Sequence, residues 1–160
     1  MSKILVAYFS ASGNTARLAG TLAAAADAEL YEIRPAVPYE RRDLNWMNRK
    51  SRTTLEMKDK SFRPELADAD APVADADVIF LGFPIWWYRE PGIIDSFLEA
   101  YDFSGKTVAP FFTSGGSDLG EGQERIEKLA KGAKMMHGRR FSARASEREL
   151  KAWIESLKLD

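Results

Sequence analysis

The stretch that decides the fold is Lys3–Ala19, KILVAYFSASGNTARLA. Ile4 to Phe9 run on with little alternation, as in a parallel strand buried on both faces. They give way to Ser10, Ala11, Ser12, Gly13, Asn14 and Thr15, after which Leu18 and Leu22 recur at helical spacing among alanines. A plain turn needs little more than a Gly and an Asn. Three hydroxyls, an amide and a glycine just before a helix imply that something is held there.

Working outward, three more short apolar runs follow at Ala28–Ile33, Asp77–Phe83 and Thr107–Thr113, with helical patterns between them. Helices are expected over Thr15–Ala26, Pro91–Tyr101 and Glu121–Lys134. A last helix is announced by Ser146 with Glu149 three residues on, a capping-box pattern ahead of Leu150, Trp153, Ile154 and Leu157. Lys134–Phe141 is the expected fifth strand. Strand and helix in alternation imply an α/β fold, a doubly wound parallel sheet with right-handed crossovers. Arg34–Pro72 is an irregular excursion after the second strand, with Pro35, Pro38, Pro64 and Pro72 and one helix near Arg49–Lys58. The 160 residues are read as a single domain, 1–160.

Composition narrows the function. Cysteine is absent, which removes disulfides, thiolate nucleophiles and cysteine-ligated metal centres. The net charge of −1 argues against a nucleic-acid partner. The apolar stretch after Lys3 is too short for a secretory signal, and Val78–Tyr88 is too short to span a bilayer, so a cytoplasmic protein off the membrane is expected. His137 is the single histidine and reads as structural or exposed, and no metal site or catalytic side chain is expected. From Tyr39 to Arg63 eight bases face four acids, a mixed solvated surface or a basic patch over a ligand or docking face. Trp46 is expected in the core beneath this excursion, with a lid over a bound ligand as the alternative.

In a doubly wound sheet, ligands bind beyond the carboxyl ends of the strands. Backbone N–H groups at the start of a helix attract an anion, the side chains of Ser10, Ser12, Asn14 and Thr15 add donors, and Gly13 lets the backbone close in. No lysine stands where a P-loop needs one, and one glycine does not make a dinucleotide fingerprint. Neutral donors suit a lone terminal phosphate, with a capped Ser/Asn turn as the structural alternative. The third strand runs into GFPIWWYREPG (Gly82–Gly92), whose Trp86, Trp87 and Tyr88 cannot all face inward. They make a stacking platform or a protein interface. The fourth runs into FFTSGGSDLGEG (Phe111–Gly122), where backbone N–H groups can approach a ligand edge. Phosphate cradle, aromatic wall and donor-rich edge are the parts a planar aromatic mononucleotide needs.

With these motifs the chain resembles the flavodoxin-like family, which binds FMN. SASGNT looks like the family's T-x-T-G-x-T phosphate loop, and PIWW and TSGGSDLG look like its two isoalloxazine loops. The resemblance implies a three-layer sandwich with a five-stranded sheet in the order 2-1-3-4-5. DLNWMNRKSRTTLEM (Asp43–Met57) is similar to a small bacterial subgroup. By this resemblance Ser10, Ala11, Ser12, Gly13, Asn14 and Thr15 hold the phosphate, and Pro84, Ile85, Trp86 and Trp87 flank the ring. Thr113, Ser114, Gly115, Gly116 and Gly120 follow the pyrimidine edge and ribityl chain. Two features depart from the family: a nearly neutral charge in place of a strongly acidic one, and no glycine in Trp87-Tyr88-Arg89 beside the ring.

The reading implied is an FMN-binding redox protein that transfers electrons to a redox partner protein or a small acceptor such as a quinone, as a monomer or weak dimer. Its competitors are an FMN-dependent NAD(P)H or quinone reductase on the same fold, which the basic excursion favours, and a non-redox binding module.

Overall fold

The computed structural model describes residues 3–114 and 118–159. Strand β1 spans Ile4–Tyr8, helix α1 Asn14–Ala26, and β2 Glu29–Glu32. The excursion that follows holds a 3-10 turn at Arg41–Leu44 and helix α2 at Arg52–Lys58. Then come β3 Val78–Pro84, α3 Gly92–Ala100, β4 Thr107–Thr113, α4 Gly122–Leu129, β5 Lys134–Met135, β6 Arg139–Arg140 and α5 Glu147–Leu157. The strands are parallel in the order β2-β1-β3-β4-β5, with β6 also on β4.

Successive strand residues point to opposite faces, so each central strand feeds two cores. Leu5, Ala7, Ile79, Leu81, Phe83, Val108 and Phe112 lie in one cluster with Ile93, Ile94, Phe97 and Leu98 of α3 and Ile126 of α4. Val6, Val78, Phe80, Ala109 and Phe111 lie in the other with Leu18 and Leu22 of α1 and Leu150 and Trp153 of α5. Two helix layers on one parallel sheet are the three layers expected. Ser146 Oγ accepts the N–H of Glu149 at 3.1 Å, as its position before α5 requires.

Three expectations need correction. The fifth strand is not continuous over Lys134–Phe141 but splits into β5 and β6. Met136 N–H donates to Val108 O at 2.8 Å, and the next donor on β4 falls at Pro110, which has no N–H. The Gln123 amide takes the Met136 carbonyl instead, at 3.1 Å, and accepts from Gly138 N–H at 2.9 Å. Helix α4 ends at Leu129 rather than Lys134, because Gly132 (φ 80°) turns the chain back to start β5. Trp46 is 70% exposed and not in the core.

The excursion is strapped to the body rather than loose. Pro35 and Leu66 form an antiparallel bridge that joins its two ends. Ser96 Oγ donates to Pro64 O at 2.7 Å, and Ala71 N–H donates to the Tyr101 hydroxyl at 3.1 Å, so the return leg lies along α3. Its bases are partly consumed by acids: Arg52 by Glu56, Lys60 by Glu121, Arg63 by Glu99. No helix among the described residues is long and apolar enough to cross a membrane.

Candidate functional site

All three loops leave the carboxyl ends of β1, β3 and β4, and one residue ties them together. Thr113, the last of β4, accepts the Ile85 N–H on its carbonyl at 2.9 Å. Its hydroxyl meets that of Thr15 at 2.8 Å. Both threonines are buried. Two hydroxyls in one hydrogen bond use only one of their two protons, so the pair keeps an O–H to donate. Phe9 N–H completes the join by donating to Gly82 O at 2.9 Å.

In the first loop Gly13 takes φ 94°, a left-handed conformation that a β-carbon resists, and its own N–H donates to Ser10 Oγ at 3.1 Å. Ser12, Gly13 and Asn14 are exposed, and Ser10 and Ala11 are half-buried. Among the described residues, the backbone N–H groups of Ser12, Asn14 and Thr15 and the side chains of Ser12 and Asn14 have no hydrogen-bond partner. These donors stand at the positive end of a 13-residue helix. No cation lies among them, so the loop suits a small anion held by neutral groups.

The second loop is a two-residue hairpin turn. Trp86 N–H donates to Arg89 O at 3.0 Å and Arg89 N–H to Trp86 O at 3.2 Å, with Trp87 (φ 49°) and Tyr88 (φ 63°) between them. Both central residues are left-handed, the form that ordinarily calls for Asn-Gly. Trp86 is half-buried and packs edge-on to Phe9 and Tyr39, with ring centroids 5.6 and 5.3 Å away. Tyr39 is held in turn by Arg52, whose guanidinium carbon lies 3.8 Å from the ring centre, and by a hydrogen bond to Glu56. Burial and then that bond push the Tyr39 hydroxyl well above its ordinary range. Trp87 and Tyr88 face solvent instead, 40% and 71% exposed. Pro84 ends β3 and, like Ile85, is half-buried.

The third loop meets the second. Gly120 (φ 59°) lies so close to Tyr88 that a β-carbon there would come within 2.9 Å of the Tyr88 carbonyl oxygen. Ser114 is half-buried; Gly115 and Gly116 lie outside the described residues. Beside the first loop, a cleft of about 400 Å³ opens between Ser10 and Ala11 and the excursion's Pro35, Pro38 and Tyr39. The structure therefore brings the described members of the expected set to one rim, with Thr113 at its centre.

Directly behind the aromatic turn stands a cluster that the sequence reading missed: Arg89, Glu90 and Asp95, all buried, with Arg125. Arg125 donates to Glu90 Oε2 at 3.2 Å and to Asp95 Oδ2 at 2.8 Å. Arg89 donates to Met57 O at 3.1 Å and so fastens the turn to the end of α2. Burial draws the Arg89 guanidinium below its ordinary range. A signal existed: Asp95 falls on the stripe of Ile94, Phe97 and Leu98, a charge on the apolar side of its helix.

Comparison with known proteins decides the family. The model of the family described as Flavodoxin matches residues 3–157. The chain belongs to the flavodoxin family. No curated protein sequence matches it. A candidate flavoprotein of known structure from Bacteroides eggerthii is 42% identical, with a TM-score of 0.93 over 100% of both chains. One from Bacteroides uniformis is 44% identical, with a TM-score of 0.90 over 96% of this chain and 98% of that chain. A flavoprotein from Lactobacillus acidophilus, solved in complex with FMN, shares the fold at 23% identity, with a TM-score of 0.72 over 96% and 99% of the two chains.

Proposed function

We propose that this flavodoxin binds FMN non-covalently and passes electrons between partners. The observation that carries this reading is the convergence on Thr113: three chain-distant loops, one rich in neutral anion donors, one aromatic and one close-packed through glycine, joined by hydrogen bonds at 2.8 and 2.9 Å. The residues fit the group. Ser12, Asn14, Thr15 and the free N–H groups at the start of α1 would hold the phosphate. The spare hydroxyl proton of the Thr15–Thr113 pair is Thr15's share in that phosphate site, and the backbone around Gly120 is suited to the ring edge. Trp87 offers an exposed indole face for the ring, and Trp86 stiffens the wall from behind. Bound there, FMN would supply one- and two-electron chemistry that no side chain here provides. The chain's own work is to bind, to orient and to exclude water from one side of the ring.

The surroundings support exchange with a partner protein. Of the eight large hydrophobic side chains exposed among the described residues, Val37, Trp46, Met47, Leu55 and Phe62 lie on the excursion and Trp87 and Tyr88 on the aromatic turn. Arg41, Arg49, Lys50 and Lys58 are exposed along the same excursion and have no ion-pair partner among the described residues. An apolar rim edged with positive charge suits an acidic redox partner.

Titration of FMN into the FMN-free protein, followed by quenching of flavin fluorescence, tests the cofactor. Unquenched emission overturns the proposal in favour of a binding module. Anaerobic mixing of the loaded protein with NADPH then tests the activity. The carrier stays yellow until an auxiliary reductase is added; prompt bleaching by NADPH alone assigns it instead as a reductase.

A further inference from the structure

The cluster behind the aromatic turn has an arrangement that only a proton resolves. Arg125 bridges the two carboxyls with one guanidinium and so holds them side by side. The second oxygen of each, Glu90 Oε1 and Asp95 Oδ1, is buried with no partner among the described residues. Ionised carboxylates only accept, so two of them cannot satisfy each other, and a buried unpaired acceptor is costly. One proton turns the pair into donor and acceptor, joined by a charge-assisted hydrogen bond.

The surroundings say which residue carries it. Asp95 lies in the first turn of α3, where the helix dipole favours an anion. Three guanidinium groups approach it, Arg125 at 2.8 Å and Arg63 and Arg89 at 3.8 Å each. Glu90 precedes that helix, and among the described residues Arg125 is its one ion-pair partner, with its Oε1 beside Gly122 at the start of α4. The charged groups around the pair are thus Arg89 on the same loop, Arg63 from the excursion, Arg125 from α4, and Glu121, which is paired with Lys60 beyond Arg89. Burial, and then the bond to Asp95, push the Glu90 carboxyl up to about 9.

We propose that Glu90 is a neutral carboxylic acid donating to Asp95, and that this bond, clamped by Arg89 and Arg125, positions the strained Trp86–Arg89 turn. Left-handed Trp and Tyr persist only where the surroundings over-determine the backbone. Here Arg89 closes the turn through its main chain and anchors it through its side chain to Met57 O, while Glu90 is pinned beneath α4. Removal of the proton would place a second buried anion beside Asp95 and loosen the turn. The consequence for FMN rests on the function proposed above; the proton itself does not.

Infrared spectra of the FMN-free protein in D2O test the proton. The stretch of a protonated carboxyl is expected in the wild type at neutral pD and should be missing in Glu90→Gln. No such band in the wild type, or its survival in Glu90→Gln, overturns the proposal. Should that variant not fold, the wild type alone decides, since the band must vanish as pD rises into the alkaline range. FMN titrations test the positioning. The dissociation constant should rise about tenfold from pH 7 to pH 10 in the wild type and less than about twofold in Glu90→Gln. A flat wild-type profile overturns the link to the turn, whereas failure to bind FMN at pH 7 overturns the proposed function and leaves the infrared result standing.

Discussion

The β1–α1 loop takes its one left-handed residue at Gly13, whereas the β3–α3 turn puts Trp87 and Tyr88 there. Gly13 has open space around its α-carbon and needs nothing from the rest of the molecule to hold its shape. For Trp87 and Tyr88 the same region costs about 1–2 kcal/mol per residue. That strain is held by buried charges, main-chain bonds on both sides of the turn and the close approach of Gly120. One loop is formed by local sequence and the other by its surroundings. The first should therefore tolerate change elsewhere in the chain, and the second should answer to residues far from it.

The largest effect is expected from the anchor. Arg125→Ala leaves Glu90 and Asp95 without their shared donor and should destabilise the FMN-free protein by about 3 kcal/mol in urea titrations. A loss no larger than that of an exposed arginine would erase the contrast between the loops. In the first loop, Ser12→Ala with Thr15→Ala should weaken FMN binding about a hundredfold, since hydrogen bonds to a charged group contribute about 1.5–3 kcal/mol each. Retention of FMN at parental affinity would remove the phosphate from this loop.

The pH response sharpens the contrast. Folding raises Glu90 above its ordinary value, so the folded protein keeps a proton that the unfolded chain releases. Its contribution is full below the ordinary carboxylate range and is lost as the pH climbs towards about 9. Urea midpoints should thus fall with rising pH more steeply in the wild type than in Glu90→Gln; parallel profiles would place the proton elsewhere.

The smallest effects have opposite signs. Gly13→Ala should lower stability by about 1 kcal/mol, purely through backbone strain. Tyr88→Gly, which relieves strain at a residue 71% exposed, should raise it by up to about 1 kcal/mol in thermal unfolding. Destabilisation by both would mean that Tyr88 makes contacts that outweigh its backbone.

Much of this was legible in the chain. Uninterrupted apolar runs such as Val78–Phe83 mark strands covered on both faces, and Ser146 with Glu149 marks a helix start, because both signals are local. The fifth strand was misread because its interruption lies on a neighbour: Pro110 withholds the donor that residues 136–138 needed. Trp46 was misread because hydrophobicity alone does not say whether the body beneath a residue has room for it.

By itself the sequence determined the alternation of strand and helix, the positive-φ glycine ahead of α1 and the cluster of neutral donors around it, since each depends on residues only a few positions apart. Tertiary structure alone decided that Thr15 meets Thr113, that Trp86 turns inward while Trp87 and Tyr88 do not, and that Glu90 lies against Asp95 under Arg125. Those pairings join positions up to 98 residues apart, and which polar group is buried against which depends on how the layers close.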